Sequence, residues 1–101
     1  MNQNIAPPKD LSPEAKKWWL ALHGEFAIED AAGRLLVDTA ARAFDRMTAA
    51  REEITKSGML VADRFGQPRP HPMLTVERDA RTALMTALRG LHLEIDPPEA
   101  R

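Results

Sequence analysis

The chain has 101 residues, 44% of them apolar and 29% charged, a net charge of -1 and no cysteine. This length holds one domain with a thin core, and the lack of cysteine removes disulfides, zinc-thiolate sites and thiol nucleophiles together. Near-neutral charge excludes attraction of nucleic acid by bulk charge, so such binding would have to come from a local patch.

The N-terminus, "MNQNIAPPKDLSPEAKK", lacks a basic stretch followed by an apolar run, and no window approaches the roughly 18 apolar residues of a membrane span. The expectation is a cytoplasmic protein. Residues 1–11 have no hydrophobic period and read as a flexible N-terminal arm. Ser12 then supplies a helix N-cap, Pro13 suits the first helical position, and Glu14 favours the positive end of the helix dipole. The first helix runs to about Phe26, with Ala15, Trp18, Trp19, Leu22 and Phe26 on one broad face. Two adjacent tryptophans cannot point the same way, so one is expected in the core and the other at its edge or in an interface.

Asp30 is placed to cap a second helix that continues past Gly33 to Lys56, where Ser57 and Gly58 stop it. Leu36, Ala40, Ala43, Met47, Ala50 and Ile54 form a heptad-like seam along it. Its small residues permit close helix approach, and it is the candidate oligomer interface. Asp38 and Arg42 are spaced for a favourable i, i+4 pair on the wet side.

"MLVAD" followed by "RFGQ" predicts a small β-hairpin, whose returning strand carries Pro68 and Pro70 and must lie at an edge because proline donates nothing to a ladder. From Met73 a helical period returns, with Val76, Ala80, Ala83, Leu84, Ala87, Leu88 and Leu91 on one face and Pro72 as the helix start. The expected fold is mainly α. It is a bundle of about three helices with a long central helix, spanning residues 12–95 as one domain before a C-terminal tail over 96–101.

His23, His71 and His92 lie in separate segments without a second ligand at metal-motif spacing, so no metal is expected. His23 near the end of the first helix suits its negative dipole end, and His71 reads as a loop residue. Glu29-Asp30 and Glu52-Glu53 are sequence neighbours that diverge by about 100° on a helix and do not converge on one substrate atom. No phosphate loop or nucleophile elbow appears, and neither catalysis nor a cofactor is expected. The proline run could imitate a P-x-x-P ligand, but it ends at once in an apolar helix. Residues 64–89 hold five arginines against Glu77 and Asp79, a local excess of +3. Arginine there can contact phosphates, or simply form a solvated face. No helix-turn-helix turn is visible, so base readout is not assigned.

Pro8, Leu11, Ser12, Glu14 and Ala15 write P-x-x-L-S-x-E-A just before the tryptophans. Gly66, His71 and Pro72 form a later G-then-H-P junction, and Gly90-Leu91 precede Pro97 and Arg101. In this order and at these distances, the chain over about residues 6–101 resembles the small subunit of terminases of tailed phages and prophages. The resemblance implies a non-enzymatic homo-oligomeric ring, in the host cytoplasm, that recognises viral double-stranded DNA. It would hand that DNA to the terminase large subunit, which carries the ATPase and nuclease. On this footing Arg64, Arg69, Arg78 and Arg81, with Lys16 and Lys17 in reserve, are the candidate DNA contacts. The alternative is a small helical protein-protein adaptor or a DNA-binding regulator of prophage origin.

Overall fold

The computed structural model describes residues 5–26 and 28–91. In chain order it has α1 (Pro13–Glu25), α2 (Ala31–Ser57), β1 (Leu60–Ala62), β2 (Pro68–Pro70) and α3 (Met73–Gly90). The fold is mainly helical, three helices with a two-stranded antiparallel hairpin between the second and third. None of the described helices is long and apolar enough to cross a membrane.

Ser12 starts α1 through two sets of bonds. Its Oγ accepts from the Ala15 amide at 3.1 Å and donates to Asp45 on α2, whose other oxygen accepts from the Ser12 amide at 2.8 Å. The cap therefore also fixes where α1 begins along α2. Ser12→Ala is expected to cost about 2 kcal/mol, the upper end for a lost cap, because it leaves one oxygen of a half-buried carboxylate without a donor. Thermal melting of the variant checks the value.

Farther along, Trp19 Nε1 donates to Asp38 at 2.7 Å, so α1 runs antiparallel to α2. Trp19 is buried and Trp18 is half exposed. Leu11, Ala15, Trp19, Val37 and Ala41 form one core, with Ile5 packed against it. The arm drawn over residues 1–11 is thus corrected for 5–11. Leu11 is buried and Asp10 is ion-paired with Arg42, because the segment supplies apolar surface that α1 and α2 alone leave uncovered. Residues 1–4 lie outside the described residues, as do the tail over 96–101 and His92.

The expected Asp38–Arg42 pair does not form either. Asp38 takes the indole and Arg42 takes Asp10, both long-range partners that tertiary packing brings closer. The mutual hydrogen bond holds the Asp10 carboxyl below its ordinary pKa and raises that of Arg42. Asp30 occupies the N-cap position of α2, but its side chain makes no cap hydrogen bond.

α2 has 27 residues and is about 40 Å long. It stops at Gly58, whose φ of 84° and ψ of 166° only glycine adopts without strain. The chain returns through the hairpin, registered Leu60 to Pro70, Val61 to Arg69 and Ala62 to Pro68. His71 donates to the Met59 carbonyl at 2.8 Å and Asp63 to the Gln67 carbonyl at 2.9 Å. Arg69 lies two residues from each of these bonded positions, so Pro68 and Pro70 fall on the alternate positions, where an N–H would point away from β1. The prolines cost no ladder bond, and they bar a further strand from the outer edge.

His71, read from sequence as a loop residue, is buried and caps α3. Its Nδ1 accepts from the Met73 amide at 3.0 Å, and its carbonyl accepts from Leu74 at 3.0 Å. Pro72 holds the formal cap position but has no side-chain acceptor.

α3 also lies antiparallel on α2. Arg51 Nε donates to Glu77 at 3.0 Å, and at the far end a Cβ added at Gly90 would stand 3.1 Å from the Leu36 side chain. The row of Leu36, Ala40, Ala43, Met47, Ala50 and Ile54 therefore faces α3. Ala40, Ala43, Met47 and Ala50 are buried inside the chain, opposite Ala80 and Ala87. The seam expected to hold a second copy is already occupied, since α3 presents small residues at the same seven-residue spacing and fits it closely.

Candidate nucleic-acid and self-association surfaces

The cationic candidates fall into three places. Arg64 and Arg69 are on the hairpin, Arg78 and Arg81 on the first half of α3, and Lys16 and Lys17 on α1. α1 is antiparallel to α2 with Ser12 beside Asp45 and Trp19 beside Asp38, so Lys16 stands level with about residue 41. The hairpin begins beyond Ser57, roughly 24 Å farther along the axis at 1.5 Å per residue. The lysines do not belong to the hairpin patch.

Most of the arginines are neutralised locally. Arg81 Nη1 donates to both oxygens of Glu77 at 2.7 Å, and Arg51 donates to the same carboxylate. Burial pushes the Glu77 pKa up, but the two guanidiniums outweigh it and the net direction is down. Arg51, on α2, is not among the candidate contacts drawn from the sequence. Its place opposite Glu77 depends on the antiparallel seam, which no local signal reveals. Arg78 donates to its neighbour Asp79 at 3.2 Å, and Arg69 Nε donates to Asp63 at 3.0 Å.

Arg64 differs. Its guanidinium carbon stands 5.1 Å from the centre of the Phe65 ring, and among the described residues no carboxylate pairs with it. The local excess of +3 is therefore divided among the hairpin, the first half of α3 and Arg89 at the far end of α3, and does not form one continuous basic stripe. Among the described residues no three histidine, aspartate or glutamate side chains gather where they could hold a metal ion.

His23 stacks on Trp19 with ring centres 4.1 Å apart, and its Nε2 is buried without a hydrogen-bond partner among the described residues. Burial lowers its pKa, opposed by the charge of Asp38. This corrects the expectation of a cation at the helix end.

The surface also carries an open apolar feature. α1 and α3 both pack on α2 and leave an open groove of about 400 Å³ between them. Trp18 lines it from α1, Phe26 from just past the end of α1, Phe44 and Met47 from α2, and Leu84 and Leu88 from α3. Trp18 meets Phe44 edge to face at 6.4 Å, yet remains 52% exposed. A small-molecule site of this volume has a few convergent polar groups to orient its ligand. This groove is lined by carbon and suits an apolar protein surface. Comparison with known proteins finds no family model that matches the chain, and no similar curated protein or solved structure.

Proposed function

We propose that the chain is the small subunit of a phage terminase. It would be a non-enzymatic protein that self-associates into a ring, contacts viral double-stranded DNA and presents it to the large ATPase-nuclease subunit for genome packaging in the host cytoplasm. The order and spacing of its motifs from Pro8 to Leu91 support the family. The observation that carries the assembly is the open groove. A chain of 101 residues that extends over 58 × 39 × 19 Å, with a radius of gyration of 17.1 Å, is far more open than the roughly 13 Å of a compact domain this size. Its uncovered apolar surface calls for a protein partner, and in a ring a second copy supplies one. The self-association surface thus moves from the α2 seam to the groove between α1 and α3.

DNA contact falls to arginines repeated around the assembly, where many weak copies add up. Light scattering at micromolar concentration should give a multiple of the chain mass, and binding of duplex DNA should weaken steeply between about 50 and 200 mM salt. Changing Arg64, Arg69, Arg78 and Arg81 together to glutamine should lower DNA affinity at least tenfold and flatten the salt slope. A monomer without salt-sensitive DNA binding overturns the proposal.

A second reading, a helical adaptor that binds only protein, is favoured by the carboxylates that already hold Arg69, Arg78 and Arg81. Under it the four substitutions leave partner binding intact and there is no DNA binding to lose.

A further inference from the structure

The hairpin tip has a structure that the fold does not require. Phe65 is 74% exposed, the most exposed of the large apolar side chains among the described residues, and covers no core. The backbone that presents it is nonetheless tightly tied. The Asp63 carboxylate accepts from the Phe65 amide at 2.8 Å and from the Gln67 amide at 2.9 Å, while its other oxygen accepts from Arg69. The Asp63 carbonyl accepts from Gly66 at 3.0 Å, and Gly66 takes the turn at φ 78°. These bonds hold the Asp63 pKa below the ordinary carboxylate range, the Gln67 amide contributing most and Arg69 next.

The only carboxylate of the tip is therefore tied to the tip's own backbone and to Arg69. What faces outward is cationic and aromatic: Arg64 against Phe65, with Arg69 beside them. Pro68 and Pro70 bar strand addition to β2, so no partner strand can be recruited on that edge.

We propose that this tip is the element that enters a groove of duplex DNA, with Phe65 wedged against a base step and Arg64 on the adjoining phosphate. A narrow two-stranded ribbon fits a DNA groove, and a single apolar side chain pressed into a step partly unstacks it and bends the duplex. The tip is pre-tied by Asp63, so binding orders little backbone. The inference rests on the DNA-binding reading above and adds to it the contacting element and the mode of contact.

The test compares the full-length natural chain with Phe65→Ala, Phe65→Leu and Arg64→Gln on a 30-base-pair duplex labelled at both ends for energy transfer. Phe65 touches no core, so all three variants should melt with the natural chain. Phe65→Ala is expected to bind about tenfold more weakly with an unchanged salt slope, and to lose the bend. Phe65→Leu should keep part of both, because the wedge needs apolar bulk. Arg64→Gln should instead flatten the salt slope by about one.

Full affinity and full bend in Phe65→Ala would overturn the wedge while leaving DNA binding intact. Loss of self-association in Phe65→Ala, with DNA affinity per assembled copy unchanged, would make the tip a protein contact and equally overturn it. Absence of DNA binding by the natural chain would remove the underlying reading and the wedge together.

Discussion

The Ala43→Leu chain should melt about 15 °C below the natural one, a loss of about 3 kcal/mol at 4–8 °C per kcal/mol for a domain this size. Ala43 is 2% exposed on the row of α2 that faces α3, where Ala80 and Ala87 are also buried. Three added carbons have no void to enter, so the helices must separate or the leucine must leave its rotamer well, and the neighbouring alanine contacts loosen with it. Ala49, exposed on the same helix, is the control: Ala49→Leu should change stability by no more than about 0.5 kcal/mol. The experiment also decides what the seam is for. If it joined copies, Ala43→Leu would disrupt assembly but leave the melting of the dilute monomer unchanged. Because α3 fills it, the cost should appear at any concentration.

How much was legible follows from the range of each signal. Ser12-Pro13-Glu14 starts a helix and Gly58 ends one through chemistry within a turn, and both were readable. The short run Leu60, Val61 and Ala62 before a glycine turn placed the hairpin for the same reason. A row of alanines, by contrast, specifies that something approaches closely and not which helix does so. The seam was therefore seen as a packing surface, and the helix that packs on it is α3 of the same chain, with Ala40 and Met47 also lining the groove.

The charges were the least readable part. Arg42 left its i-4 neighbour for Asp10, and Arg51 and Arg81 converge on one carboxylate, because ion pairs are chosen by tertiary distance. Counting charges along residues 64–89 gave an excess of +3 that already includes Glu77 and Asp79, and the fold disperses it along the hairpin and α3. The motif residues Gly66 and His71 acquire plain structural duties, one as the hairpin turn and the other as the cap of α3.

Trp18→Glu should convert the assembly to monomers at micromolar concentration while leaving the melting of the isolated chain within about 1 kcal/mol of the natural one. Trp18 is already half in water, so a carboxylate there meets solvent in the free chain and forfeits mainly the edge-to-face contact with Phe44. In a contact that covers the groove, the same carboxylate would be buried among Leu84, Leu88 and Phe26 with no cation to pair with, at a cost of several kcal/mol per interface. Trp18→Phe keeps the surface apolar and should still assemble. DNA affinity should fall about a hundredfold with the glutamate, although no DNA contact is touched, because linked weak sites become single ones. The four-arginine variant should do the reverse, remaining assembled while losing DNA. A Trp18→Glu chain that still assembles would show that copies meet elsewhere and leave the groove to a different protein. If Trp18→Glu is monomeric yet binds DNA as tightly as the natural chain, the subunits act singly and a ring is not needed for recognition.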